Sequence, residues 1–186
     1  MTSVRQIVEA ANTSMGNLYF HFPNKKDLLK IICSEFASIL RNQIYQFHKM
    51  AFRPEVGFAL DFKIGYITTL DHPKTSRFWT AAQNIPEIHQ HSLENKRIRL
   101  KTFFGDRIPE DEIEYLAIAI QGIADAIFEQ TRQGMLKSEE SEASNKIVGY
   151  SLRLIGFSAA EVERVICEVD EYIKVHHITI DKFFAL

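Results

Sequence analysis

Residues 13–29, TSMGNLYFHFPNKKDLL, constrain the fold most, because they predict two helices with a proline between them. Ser14 stands where its hydroxyl can accept from the amide of Asn17 and cap the first helix, which Pro23 then ends. Asn24 is a second N-cap, from which a new helix starts. The segment therefore predicts a compact helical motif rather than a strand or one long helix.

The residues before this segment predict a further short helix and a tight turn. Ser3 and Gln6 have the spacing of a capping box at the start of SVRQIVEAA, whose apolar residues recur every three or four positions. Asn12 follows, and asparagine tolerates the left-handed backbone that a tight helix-to-helix turn needs. Together these elements predict a helix-turn-helix, with a helical hairpin inside a bundle as the alternative.

The second helix of this motif has a narrow apolar edge, so Tyr19 and His21 are predicted to face outward. Lys25 and Lys26 lie in the first turn of the following helix, where a cation opposes the helix dipole by roughly 0.3–1 kcal/mol. A bound phosphate would reverse that balance, because helix N-termini bind anions. The outward groups therefore favour a surface that meets a phosphate backbone.

The stretch TSVRQIVEAANTSMGNLYFHFPNKKDLLKII, residues 2–32, resembles the DNA-binding region of the tetracycline-repressor (TetR) family of bacterial transcription regulators. The pattern of that family runs T-V-x-x-I-A, then A-G-V-S-x-G-x-L-Y-x-H-F, then x-x-K-x-x-L. The resemblance implies a DNA-binding transcriptional regulator, by family habit a ligand-responsive repressor that binds a palindromic operator in double-stranded DNA as a homodimer.

The resemblance also implies which side chains contact DNA. Base edges are expected to be read from the start of the second helix, and phosphates from its later residues and from the starts of the two neighbouring helices. The base-contacting positions are Ser14, Met15 and Asn17, and the phosphate-contacting positions are Thr2, Ser3, Tyr19, His21 and Lys25. The expected readout is amide hydrogen bonding and apolar contact with thymine methyls.

Three departures from the family pattern matter. Asn12 replaces the usual turn glycine, and Met15 stands where lysine or arginine is common. Family members also begin with a further helix that packs across both helices of the motif, and the predicted DNA-binding domain lacks it. We therefore expect either that residues precede Met1 in the native protein or that DNA binding is weak or absent, because isolated helices of about nine residues are not stable.

The composition predicts a soluble cytoplasmic protein. The 186 residues are 46% hydrophobic, and no uncharged apolar stretch reaches the length of about 18 residues that crossing a membrane requires. No signal-peptide pattern is present. Cys33 and Cys167 are predicted to be small buried hydrophobes, with a redox-sensing pair as the alternative. The net charge of −2 divides into +2 for residues 1–30 and −4 for the remainder. A positive charge on residues 1–30 is the sign expected for a DNA-binding end.

The remaining sequence predicts helices throughout, so the predicted fold class is all-α. Apolar residues recur every three or four positions from Lys25 to about Ala51, which predicts one long helix that links two domains. We call residues 1–47 the head, predicted to bind DNA, and residues 48–186 the body, predicted to bind a ligand and to dimerise. Further predicted helices span 54–70, 73–84, 86–104 and 109–135, with a loop at 134–145 and a last helix after a capping box of Ser158 and Glu161.

The helix from Pro109 is apolar around most of its circumference, which predicts burial on two sides. One side is its own core. The other side can pack beside a later helix that carries an apolar stripe. If the same two helices of a second, symmetry-related copy pack against this pair, they form a four-helix dimer interface, as the TetR resemblance also implies. The predicted interface residues are Leu116, Ile120, Ile123, Ile127, Ile147, Leu152 and Ile155. A central helix of a monomeric bundle is the alternative.

Aromatic residues are frequent in the body and predict a pocket for a small apolar or aromatic effector. The alternative is that they form ordinary core, since aromatic stripes at helical spacing usually do. The predicted pocket residues are Phe58, Phe62, Tyr66, Phe78, Trp79, Phe103 and Tyr115.

Catalytic and metal-binding patterns are not recognisable in the sequence. It has no glycine-rich phosphate loop and no nucleophile elbow. His89 and His91 would point about 200° apart on a helix, so they are predicted to be solvated rather than to share a metal. We therefore predict no enzyme, no cofactor and no metal. The alternative function is a dimeric helical protein that binds a small molecule or a lipid and whose head is degenerate.

Overall fold

The structure is a computed structural model and describes residues 3–35, 53–70, 76, 79, 82, 85–136 and 140–176. Every regular element within these ranges is an α-helix, and no strand occurs in them. The all-α fold class predicted from the sequence is confirmed.

The head contains three helices as far as it is described: α1 (Val4–Ala10), α2 (Met15–His21) and the start of α3 (residues 25–35). The body contains α4 (Pro54–Leu70), α5 (Pro86–Phe104), α6 (Glu110–Arg132), α7 (Glu140–Leu154) and α8 (Ala159–Val175). The predicted helices at 54–70 and 86–104 are confirmed. The far end of the link helix, the domain boundary at 47/48 and most of the predicted helix at 73–84 lie outside the described residues.

Side-chain caps explain where the first and last of these helices start. The hydroxyl of Ser3 accepts from the amide of Gln6 at 3.2 Å, while the Gln6 side chain accepts from the amide of Ser3 at 2.8 Å. Ser158 and Glu161 form the same reciprocal pair at the start of α8. Both predicted capping boxes are confirmed, and each provides acceptors for amides that a helix start would otherwise leave unpaired.

The connection between α6 and α7 is shorter than the sequence predicts. α6 ends at Arg132, followed by Gly134 with a φ of 70°, and α7 already begins at Glu140. In the first turns of α7, Ala143 and Ser144 are only 3% and 1% exposed. The prediction of a loop is therefore wrong for residues 140–145, because packing of small side chains against the body stabilises a helix in a polar sequence.

One large hydrophobic cluster joins the described helices of the body. It includes Phe58 of α4, Phe104 of α5, Ile120 of α6, Leu152 of α7 and Val165 of α8, each at most 4% exposed. The ring of Phe104 lies 5.2 Å from that of Phe58, centroid to centroid, in an edge-on arrangement that aromatic pairs favour. This cluster holds the helices that form the walls of the cavity described below.

The head has a much smaller core of its own. Val8, Leu18 and Leu28 are its buried residues, one from each of α1, α2 and α3. Farther along α3, Cys33 is buried against Ile88 of α5 in a separate cluster. Burial of Cys33 is as predicted, whereas the prediction for the second thiol is wrong, because Cys167 is exposed on α8.

Candidate nucleic-acid interface and ligand pocket

The turn between α1 and α2 is a tight helix-to-helix connection. Asn12 has a φ of 48°, the left-handed conformation that the sequence predicts for it. The amide of Thr13 donates to the carbonyl of Val8 at 3.1 Å, which closes the turn. Ser14 then caps α2 by accepting from the amide of Asn17 at 3.1 Å, as predicted. The backbone therefore forms the predicted helix-turn-helix.

The side chains predicted to contact DNA lie at the surface of this motif. In α2, Met15 is 41% and Tyr19 44% exposed, whereas Leu18 is 8% exposed and faces the head core. Thr2 lies outside the described residues. We call the remaining predicted set the head surface; Ser3, Ser14, Met15, Asn17, Tyr19 and His21 are exposed, and Lys25 is half-buried.

Asn17 is oriented by a neighbour on the head surface. Its side-chain Nδ2 donates to the hydroxyl of Thr13 at 2.9 Å, which limits rotation of the amide. The amide oxygen and the second Nδ2 hydrogen stay available at the surface. An exposed amide with one donor and one acceptor matches the pattern that adenine presents in the major groove.

Phe20 extends the head surface, although it was not among the residues predicted to contact DNA. It is 83% exposed, and its ring meets that of His21 edge-on at 5.1 Å between centroids. The sequence signal for it was its place off the apolar edge of α2. A ring this exposed is available for apolar contact with a partner, for example with sugars or thymine methyls.

Arg5, Lys26 and Lys30 form ion pairs in the described part of the head. Arg5 and Lys30 pair with acidic residues of their own helices at 3.2 and 3.6 Å. Lys26 reaches the carboxylate of Glu87 in the first turn of α5 at 3.4 Å, an exposed contact between head and body. A backbone hydrogen bond and then Lys26 hold the pKa of Glu87 below its usual range. Exposed pairs of this kind are weak, so phosphate can compete for their cations.

Helix α3 belongs both to the head core and to the wall of a cavity in the body. Leu28 is buried in the head, and Cys33 lines the cavity. Five residues of helix separate them, roughly 7.5 Å along the axis at about 1.5 Å per residue. Burial raises the pKa of the Cys33 thiol to about 11, so the group is a neutral part of the wall at pH 7.

The cavity has a volume of about 220 Å³ and lies among α3, α4, α5, α6 and α7. Three of the aromatic residues predicted from the sequence, Phe62, Tyr66 and Trp79, line it. The prediction is wrong for three others: Phe58 and Phe103 belong to the main core, and Tyr115 is 70% exposed on α6. Phe78 lies outside the described residues.

Half of the residues that line the cavity are polar, whereas the sequence predicted only aromatic lining residues. Lys96 of α5 donates to the amide oxygen of Gln121 of α6, and Gln121 in turn donates from Nε2 to Asp125 at 2.7 Å. Asp61 of α4 lies 2.8 Å from Nε of Arg99. The only available sign was the isolated polar positions Gln121 and Asp125 within an apolar helix.

His89 and His91, which the sequence predicted to be solvated, lie at the wall of this cavity. Both line its wall, and Nδ1 of His89 is 3.7 Å from a carboxylate oxygen of Asp125. Within the described residues, no group of three or more histidine, cysteine or carboxylate side chains is placed to hold a metal ion. The helices that the structure describes include none with the length and apolar character needed to cross a membrane.

Four of the predicted dimer residues are internal to a single chain. Ile120, Ile147, Leu152 and Ile155 are at most 7% exposed within the body core. Their assignment to a dimer interface is wrong, because side chains already covered within one chain have no surface to offer a second copy. Leu116, Ile123 and Ile127 are half-buried at the flank of α6.

The second apolar face of α6 lies elsewhere on the helix. Tyr115 and Ile118 are 70% and 50% exposed, and the small residues Ala119, Gly122 and Ala126 are exposed beside them. A Cβ added at Gly122 would meet no atom within 4 Å. At about 100° per residue these five positions share one face, roughly a third of a turn from the interface residues predicted on this helix. We call this set the α6 face.

Comparison with known proteins concerns the head. Residues 1–32 match the family model described as bacterial regulatory proteins, tetR family. No curated protein and no solved structure matches the chain.

Proposed function

We propose that this DNA-binding transcriptional regulator, whose residues 1–32 match the family model of the tetR bacterial regulatory proteins, is a ligand-responsive repressor that acts on a palindromic operator as a cytoplasmic homodimer. The observation that carries the proposal is the capped helix-turn-helix that exposes Met15, Asn17 and Tyr19 while Leu18 holds α2 to the head core. Regulators of this family are generally not enzymes.

The DNA-binding role is tested by gel shift with the intergenic DNA beside the chain's own gene. Tyr19→Phe removes one hydroxyl from the head surface. If that hydroxyl hydrogen-bonds to a phosphate, its removal is expected to weaken DNA binding about tenfold. Tyr150→Phe is the matched control, because Tyr150 is a similarly exposed tyrosine of the body. Equal effects of the two variants would contradict the assignment of Tyr19.

Absence of specific DNA binding would contradict the repressor role as a whole. If the same protein still bound small molecules, that result would favour the alternative of a helical ligand-binding protein with a degenerate head. Asn17→Ala sharpens the test, because an amide that reads a base changes sequence preference by about 1–3 kcal/mol, whereas a phosphate contact weakens all sequences alike.

The ligand response is supported by the path from the cavity to the head. A ligand that touches Cys33 touches α3, the helix that also supplies Leu28 to the head core. A shift of α3 would move the head, and two heads must fit half-sites roughly 34–36 Å apart to bind an operator together. Ligand and DNA would then favour different positions of α3, which is the coupling that a regulator needs.

The homodimer is supported by the α6 face. Exposed small residues let a second helix approach closely, and Tyr115 and Ile118 supply apolar area at its edge. Ala126→Glu should convert a dimer to monomers and lower DNA affinity, as measured by light scattering and gel shift. Ala160→Glu is the matched control, since Ala160 is an exposed alanine of α8. A dimer that survives Ala126→Glu would exclude this face as the interface.

A further inference from the structure

The polar half of the cavity surrounds the ammonium group of Lys96. Its Nζ donates to the amide oxygen of Gln121 and to the hydroxyl of Ser92, the latter at 3.4 Å, and lies 5.8 Å from the centroid of the Phe62 ring. Both acceptors are neutral. An ammonium group has three hydrogens to donate, so one of them has no acceptor among the residues that the structure describes.

The carboxylates that line the cavity are engaged with other groups. Asp61 pairs with Arg99 at 2.8 Å, and Asp125 accepts from the amide of Gln121 at 2.7 Å. Within the described part of the chain, neither carboxylate forms an ion pair with Lys96. A cation that is taken out of water without a contacting anion costs free energy, which an added anion would offset.

The apolar half of the cavity begins beside the same ammonium group. Phe62 faces Lys96, and it also packs against the small cluster that contains Tyr66 and Phe128. Trp79 contributes a further ring to the lining. A molecule in this space would therefore have a cation at one end and aromatic rings along its body.

We propose that the cavity binds a small amphipathic organic acid, whose carboxylate accepts from Lys96 and whose aromatic or alkyl body lies against Phe62, Tyr66 and Trp79. The inference rests on the proposed ligand-binding function and specifies the charge of the effector. The carboxylate supplies the third acceptor, and hydrogen bonds between charged partners are roughly twice as strong as neutral ones. A neutral ligand would leave the ammonium without a counter-ion, and a cationic one would add repulsion.

The environment of Lys96 agrees with a site that lacks its anion. Burial and, to a lesser extent, Arg99 lower the pKa of Lys96 to about 8, although Asp125 and Asp61 oppose this change. A bound carboxylate would raise this pKa again, because it favours the charged ammonium. Acid binding is therefore expected to be accompanied by proton uptake near pH 8 and above.

The test uses three probes of nearly the same shape: 4-phenylbutyrate, 4-phenylbutanamide and 4-phenylbutylamine. Isothermal titration calorimetry of the full chain should show the acid binding about tenfold more tightly than the amide, with the amine weakest. An amide that binds as tightly as the acid, an amine that binds best, or no acid binding at millimolar concentration would each show the inference to be wrong.

Two substitutions at Lys96 separate the role of its charge from effects on folding. Lys96→Met should abolish the preference for the acid over the amide, whereas Lys96→Arg should retain it because the cation is kept. Lys146→Met is the matched control, an exposed lysine of α7, and should leave the preference unchanged. A preference that persists in Lys96→Met would contradict the assignment.

A gel shift with the intergenic DNA tests the proposed DNA-binding function separately from the preference of the cavity for an acid. A chain that binds DNA but shows no preference for the acid retains the regulator role and loses the effector assignment. A chain that prefers the acid but binds no DNA retains the effector site and loses the regulator role.

Discussion

The head and the body of this chain reach stability by different means. Among the described residues, the core of the head contains three buried side chains, Val8, Leu18 and Leu28, and the geometry of the helix-turn-helix depends on caps and a turn formed by residues at most five positions apart. In the described part of the body, one cluster of eighteen buried residues joins α4 to α8. A core of three side chains offsets little of the entropy of folding, whereas the body core is large enough to fold as a unit.

Under the proposed function, this difference would allow one chain both to hold a shape and to respond to a ligand. Elements with few buried contacts open at low free energy, and regulatory elements are commonly of this kind. The head is such an element, and α3 connects it to a cavity whose other walls belong to the well-packed body. The comparison predicts that substitutions in the two regions will have separable effects.

The largest expected effect is in the body core. Leu152→Ala should lower the free energy of unfolding by about 2–5 kcal/mol, because it removes a side chain that is fully buried. Leu18→Ala, the same change in the head, should leave the body midpoint in urea near that of the wild type while hydrogen exchange in α1 and α2 accelerates. Equal shifts of the body midpoint would show that head and body unfold together.

The next effect is a pH dependence that arises at the cavity. Burial lowers the pKa of Lys96 to about 8 from its ordinary 10.5, so the unfolded chain binds more protons between these values. The Lys96 contribution to the free energy of unfolding should therefore rise with pH from about 8 to 10.5. Urea titrations of wild type and Lys96→Met at several pH values should show this rise only in the wild type.

Other groups at the cavity also titrate, so the test compares the pH dependence of the free energy of unfolding between wild type and Lys96→Met. Cys33 acts in the opposite direction, because its pKa is raised to about 11 and stability falls as the unfolded thiol ionises above 9. Asp61, Arg99 and the His89–Asp125 pair are present in both proteins and cancel in the comparison. A wild-type curve parallel to that of Lys96→Met would contradict the prediction.

A smaller effect is expected at the turn of the head. Asn12 has a positive φ, so Asn12→Ala should strain the turn by about 1–2 kcal/mol, whereas Asn12→Gly should be tolerated. DNA affinity and hydrogen exchange of α2 should respond to the alanine variant, with the body midpoint in urea unchanged. Equal DNA affinities of the alanine and glycine variants would show that this backbone conformation is not required.

The smallest effect is expected at the contact between head and body. Glu87→Gln removes the charge that pairs with Lys26, and should slightly increase hydrogen exchange across residues 25–35. Glu129→Gln is the control, because Glu129 forms an exposed pair with Arg132 inside the body. If both variants change the exchange of α3 alike, the Lys26–Glu87 pair does not tie the two regions together.

The helix-turn-helix of the head was predicted from the sequence, as far as the structure describes it. Ser3, Ser14 and Asn12 act on residues within a few positions of themselves, so their roles follow from spacing alone. The exposure of Tyr19 follows in the same way from its place opposite Leu18 on a short helix. Local hydrogen bonds and helical periodicity are properties that neighbours in sequence determine.

The cavity and the α6 face were predicted only in part. Phe58 and Phe62 are four residues apart on α4, yet one lies in the core and the other at the cavity, because Phe58 packs against Phe104 of α5, whereas Phe62 lies beside Lys96 of the same helix. In the same way Ile120 turns into the body, while Tyr115 remains at the surface. Periodicity shows that a helix has an apolar face but not which neighbour will cover it.

By itself, then, the sequence determined the all-α fold class, a capped helix-turn-helix with an outward surface, and the starts of the capped helices α1, α2 and α8, since each depends on residues close together along the backbone. Only the tertiary structure decided which apolar residues remain exposed on α6, and that Lys96, Gln121 and Asp125 meet beside Phe62. Those groups come from three helices, α4, α5 and α6, and their meeting depends on how large side chains fill the space between helices.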